Sequence, residues 1–297
     1  MTNRTLGTRA AVLLAITVWA RGTTTCAAPL PPPDDLAQKA TWSIPSHEDV
    51  RAILEAWLQS VKLDEQTRAK AAATWTAGGD PVPPSRLLDQ VAETLALADP
   101  AATEIVDFCR SAAAVLSPPE FVILKDDGRP SWVRSNLRLL YGRWLAQHRF
   151  YDEAIDVLSD LRTEDVVDPA ALLFYQGACY YRLLDKNRCL PVLARLLENE
   201  PAIPRRFATL SQLMRADLEP LETDSLDEIA RMMDEVTRRL ALHRAGTVVR
   251  NQEDEVVAKL DKIIKELEAQ QQSASSAGNL QPSNPAQDSM PAGGTGP

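Results

Sequence analysis

Leu139–Leu161, LLYGRWLAQHRFYDEAIDVLSDL, decides the fold, because a second stretch, Leu172–Pro201 (LLFYQGACYYRLLDKNRCLPVLARLLENEP), repeats its design. Gly177 follows Gly142, and Cys189 follows Ala154, at a common offset of 35 residues (142 to 177, 154 to 189). Small side chains are needed where paired helices approach closely, and a fixed period of this size is the signature of stacked helix pairs. Pro201 ends the second unit, since proline cannot continue a helix. Pro191 falls inside the second helix of that unit and is expected to shift its start or kink it.

These units resemble the tetratricopeptide repeat (TPR). Gly142 stands where that family has its small helix-A residue, and Tyr151 and Ala154 stand where it has the aromatic and alanine of helix B. The likeness covers Asn136 to Pro201, with a helix-A-like third segment from Pro204 to Ala216. The family's tryptophan position holds Arg138 in the first unit and Leu173 in the second. As a whole the chain is similar to exported TPR-bearing bacterial proteins with Gln- and Pro-rich tails, a resemblance that implies no activity. It does imply a concave wall formed by one side of each A helix, carrying Arg143, Gln147, Phe174, Tyr181, Arg182, Arg205, Gln212 and Arg215. Arginine forks and aromatic faces there would suit an extended acidic peptide or a C-terminal carboxylate. The competing fate of the arginines is pairing with the chain's own acids, such as Glu219, Glu222, Asp224 and Asp227.

Upstream of the repeats the chain opens with a targeting pattern. Arg4 and Arg9 precede an apolar run, Ala10 to Ala20 (AAVLLAITVWA), too short to span a bilayer, and small residues follow in GTTTCAA. Residues 1–27 are thus expected to be a signal peptide cut after Ala27, and the mature protein to be periplasmic or extracellular, with no membrane span. Anchoring through a lipidated Cys26 is the alternative, disfavoured because Thr23, Thr24 and Thr25 lack the leucine such a site wants. Residues 28–41 form a proline-rich linker. Residues 42–117 are expected to hold four helices, beginning with Ser46 and Asp49 as a start signal. Residues 118–130, with Phe121 to Leu124 before Asp126, Asp127 and Gly128, look like a buried extended loop joining two helical regions.

Downstream, residues 131–246 hold the repeats and a capping helix. Ser225 and Glu228 form a capping box for that helix, whose Leu226, Ile229, Met233, Val236 and Leu240 share one face, ending at Gly246. Residues 247–271 make an amphipathic, coiled-coil-like helix with Val256, Leu260, Ile263 and Leu267 at alternating spacings of four and three. Residues 272–297 are expected to be a disordered tail. The fold class is therefore all-α: a helical array with a short TPR-like solenoid.

Composition limits the partners. Lys plus Arg number 32 against 41 Asp plus Glu, a net charge of −9, which argues against nucleic acid or an anionic membrane surface. Cys109, Cys179 and Cys189 sit among apolar residues at helical spacing and read as buried thiols, with a Cys179–Cys189 bridge as the alternative. His47, His148 and His243 lack a second ligand at metal-binding spacing, and Asp126–Gly128 reads as a turn, so no metal or cofactor is expected. No catalytic motif emerges. The expected role is a non-catalytic protein–protein interaction scaffold of the cell envelope that binds a protein or peptide, with residues Gly142, Tyr151, Ala154, Gly177, Cys189 and Pro201 packing the repeats. The alternatives are a homo-oligomer built through the C-terminal helix and an enzyme using carboxylates in the N-terminal array.

Overall fold

A computed structural model describes residues 40–76, 84–111 and 115–277. The signal-peptide and Cys26 assignments, nearly all of the linker and the tail from residue 278 lie outside those residues. Eleven helices occur among the described residues, with no strand. The chain is all-α.

Local sequence sets most helix starts. Ser46 accepts from the Asp49 amide (3.1 Å) ahead of α1 (His47–Ser60), and Asp64 accepts from the Thr67 amide (2.8 Å) ahead of α2 (Glu65–Thr76). The third helix, α3 (Pro84–Ala98), is followed by α4 (Pro100–Arg110), with Asp99 as its cap and Pro100 in its first turn. The segment before α5 holds a 3-10 turn, Val122–Lys125, rather than extended chain; Phe121 and Ile123 point into the core while Val122 faces solvent. Next come α5 (Ser131–Gln147) and α6 (Tyr151–Leu158), then α7 (Pro169–Arg182) and α8 (Lys186–Leu197), and finally α9 (Arg205–Leu218). Pro191 neither breaks α8 nor moves its start: Lys186 begins α8 at the same 35-residue offset from Tyr151 that separates the ends of α5 and α7.

Helices α3, α5, α7 and α9 lie side by side, and α4, α6 and α8 form a second layer, each packed on the helices before and after it. One hydrophobic core runs through both layers from Trp42 to Leu218 and continues across Pro118–Pro130. The repeated small residues are where the layers meet. A Cβ on Gly142 would collide with the Leu158 side chain, and one on Gly177 with Leu193, both leucines being fully buried. Ala154 and Cys189 are fully buried too, and the Cys189 thiol donates to the Gly177 carbonyl at 3.4 Å. Pro201 lies in the 3-10 turn Glu200–Ala202 that separates α8 from α9.

The last two helices depart from the expected arrangement. In α10 (Leu226–Ala241), Ile229 and Val236 are buried as the pattern requires, but Leu226, Met233 and Leu240 are exposed, and Glu235, Arg238 and Arg239 are buried in their place. The buried charges all have partners. Arg231 binds Asp217 at the end of α9 (2.6 Å), Arg238 and Arg239 both reach Asp152 at the start of α6, and Arg244 pairs with Glu153. Helix α10 therefore runs back across the turns of the array instead of capping its end, where Leu210 and Leu213 of α9 stay exposed. Its start is the expected capping box in altered form: Ser225 accepts from the Glu228 amide (3.1 Å), while Glu228 reaches the Asp224 amide (2.7 Å). It ends before Gly246, at a turn where His243 takes the positive φ of 58°. From there α11 (Thr247–Ala277) returns along α10, with Lys259 bound to Asp224 and Glu228. The helix continues beyond the expected end at residue 271 to Ala277, because extending a formed helix through Gln, Ser and Ala costs far less than nucleating one.

Candidate functional site

The face shared by α3, α5, α7 and α9 carries a chain of side-chain contacts that crosses from helix to helix. Arg143 of α5 forms an ion pair with Asp89 of α3. One turn further along α5, Gln147 donates to the Tyr175 hydroxyl of α7 at 2.9 Å. Phe174, beside it, stacks on Phe207 of α9 with ring centroids 4.1 Å apart and planes 12° from parallel. Arg206 lies over the Phe207 ring at 5.1 Å.

Beneath this strip sits Asp168, 6% exposed, whose carboxylate accepts the Ala171 amide (2.9 Å) as the cap of α7. Burial pushes its carboxyl up to about 6, against the pull of the Ala171 hydrogen bond and of Arg143 and Arg206. Because its folded pKa lies above the ordinary value of about 3.9, the proton is held more tightly in the folded state. The stability contributed by this group is full at acid pH and is lost as pH rises through about 6. Asp168→Asn keeps an N-cap acceptor. The variant is expected to match the parent near pH 4 and to exceed it near neutral pH by roughly 2–3 kcal/mol, read from denaturant midpoints at the two pH values.

Of the residues proposed for a concave wall, Arg143, Gln147 and Phe174 meet in this strip. Tyr181 and Arg182 lie at the far end of α7, where α10 crosses. There Tyr181 donates to Asp217 (2.5 Å), and Arg182 is exposed with its guanidinium 5.7 Å from the Tyr151 ring centroid. Asp217 is held down at about 2 by hydrogen bonds first from Arg231 and then from Tyr181, so it stays charged. A hollow of about 310 Å3 opens between Tyr181, Arg182, Asp217, Arg231 and Asp234. On α9, Gln212 turns back to Glu200 (2.8 Å) and Arg215 pairs with Glu219 (3.0 Å), while Arg205 is exposed. Three of the eight residues thus belong to the strip, two sit beside α10, and Gln212 and Arg215 pair locally. Arg215 takes a partner the sequence named; Asp224 and Asp227 instead pair with Lys259 and Lys262, and with Arg231.

Asp89, Tyr175, Arg206 and Phe207 were not singled out by sequence, because their significance lies in cross-helix contacts. Asp168 was not singled out either, although an aspartate before Pro169 is a helix-start signal that could have found it.

Other candidates for chemistry have structural surroundings. His148 stacks on Trp144 at 4.0 Å and its Nδ1 is 2.8 Å from the Trp144 carbonyl; His47 lies 4.9 Å from the Trp75 ring. Cys109, Cys179 and Cys189 are free thiols, each pushed up to about 12 by burial. In the N-terminal array a hollow of about 530 Å3 includes Asp64, but the Thr67 hydroxyl and amide hold that carboxyl below its ordinary range, the opposite of what a general acid needs. Among the described residues no group of His, Cys, Asp and Glu is arranged to hold a metal ion, and no helix is long and apolar enough to cross a membrane. No family model, curated protein or solved structure matches the chain.

Proposed function

We propose that this chain is a TPR-like, non-catalytic interaction scaffold of the cell envelope that engages an extended acidic segment of another exported protein. The observation that carries this reading is the distribution of arginines about the strip on α5, α7 and α9. Among the described residues, Arg205 and Arg206 at the start of α9 have no carboxylate partner, and neither has Arg182 at the far end of α7, whereas Arg143 and Arg215 are paired internally. Phe174, Tyr175 and Phe207 are buried beneath this face and pack on one another, a rigid base over which Arg206 is held above the Phe207 ring. The 35-residue duplication and the side-by-side order of α5, α7 and α9 support the TPR-like description.

The test is crosslinking in the native envelope followed by identification of what is captured, repeated with Arg182→Glu, Arg205→Glu and Arg206→Glu combined. A charge-assisted hydrogen bond contributes about 1.5–3 kcal/mol, so each arginine that binds carboxylate is expected to account for roughly ten-fold or more in affinity. Capture and affinity unchanged in the triple variant would remove this site from consideration.

A further inference from the structure

We infer that the outer face of the α10–α11 hairpin is a self-association surface that pairs with the same face of a second copy to form a four-helix bundle. The hairpin is thinly packed on its own. Its separate apolar cluster has three buried side chains, Ile229, Met232 and Val256, with Leu184, Leu260 and Ile263 partly buried around them. Yet the exposed large apolar residues of the described chain concentrate on these two helices: Leu226, Met233 and Leu240 on α10, with Val248, Val257, Ile264 and Leu267 on α11.

Helical geometry puts most of them on one side. Leu226, Met233 and Leu240 recur every seven residues and so form one row along α10, and Val257 and Ile264 do the same on α11. Lys259 reaches Asp224 and Glu228 along the opposite edge of the hairpin, and Arg231, Arg238 and Arg239 hold α10 to the body. With those edges occupied, the two rows face away from the body as neighbours. Ile264 and Leu267 extend the face past the start of α10.

Size and the shared heptad pitch favour a second copy as the occupant. Sixteen residues of α10 at about 1.5 Å each give a face about 24 Å long, and two helices of about 10 Å make it about 20 Å wide. Two such faces bring together roughly 1,000 Å2 before interdigitation is counted, about the area that a biological interface has to clear and that of a weak, concentration-dependent dimer. A shared seven-residue pitch on both rows lets the face pack against itself in the manner of antiparallel bundle helices. An anionic membrane is a poor alternative, because the exposed acids Asp227, Asp234, Asp254 and Asp261 border the rows where a membrane-surface helix carries Lys and Arg.

Sedimentation velocity of the full chain across a micromolar concentration series tests this. The mass is expected to double with rising concentration, and Met233→Glu with Ile264→Glu is expected to leave a monomer with unchanged helical circular dichroism, since both side chains are exposed. Leu210→Glu with Leu213→Glu, on the exposed side of α9, is expected to leave the dimer intact. A chain that stays monomeric throughout, a dimer that survives the Met233/Ile264 pair, or one abolished only by the α9 pair overturns the assignment.

Discussion

Replacing Glu235 by alanine is expected to release α10 and α11 from the array while α3 to α9 remain folded. Glu235 is 5% exposed and lies between Arg238 and Arg239, at 2% and 8%. It accepts from Arg238 Nε at 2.6 Å, and Arg239 Nε lies 2.8 Å from its other oxygen. Asp152 is the second carboxylate in the cluster, 3.3 Å from Arg238 and 2.7 Å from Arg239, and the Tyr151 ring lies 4.8 Å from the Arg238 guanidinium. Removing Glu235 leaves two buried cations sharing one partner. Breaking a buried pair in this way costs about 3–5 kcal/mol, while replacing both members by apolar residues of similar volume is often close to neutral. Hydrogen exchange read by peptide is the measurement. Protection in α10 is expected to fall in Glu235→Ala, to hold in α5 and α7, and to recover in Glu235→Met combined with Arg238→Met. Unaltered protection of α10 in the single variant would show that the ionic cluster is not what holds the helix.

Leu158→Ala and Leu193→Ala are expected to destabilise the array as a whole, each by about 3–5 kcal/mol, toward the upper end for a buried leucine. Both side chains are fully buried, and each packs against a glycine, Gly142 or Gly177, so no neighbouring Cβ is there to fill the space left behind. The pairing makes a sharper test than the size of the loss. Gly142→Ala alone forces Leu158 to move, an overpacking cost of about 1–3 kcal/mol that offsets the gain in helix propensity. In the Leu158→Ala background the same methyl enters vacated space and becomes stabilising. Denaturant unfolding of the four variants gives the coupling, and the Gly177–Leu193 cycle is expected to repeat its sign. Additive effects in both cycles would show that these contacts do not set the spacing between the layers.

The two experiments probe parts of the chain that were unequally legible. The Gly142–Leu158 contact was foreshadowed by the recurrence of small residues, because close helix approach demands them at fixed positions. The Glu235 cluster was not. Its residues sit on what periodicity marks as the polar face of α10, opposite the row Leu226, Met233 and Leu240. The proposed wall fared in between. Phe174, Gln147 and Arg143 do meet their neighbours across helices, whereas Gln212 and Arg215 find partners close by in sequence and Tyr181 is engaged by Asp217.

By itself, the amino-acid sequence determined that the described chain is helical, where most helices begin, and that two pairs share a 35-residue period. Those properties follow from interactions within a few residues: caps, 3.6-residue periodicity, proline, and small side chains at close approaches. Tertiary structure alone decided which face of α10 is buried, the path of α10 back across the turns, and which arginines were consumed by Asp89, Asp152 and Asp217. Such pairs form between residues distant in sequence, and because a buried charge left without its partner is costly, the partners that the fold supplies, which periodicity does not register, decide where a charged face can be buried.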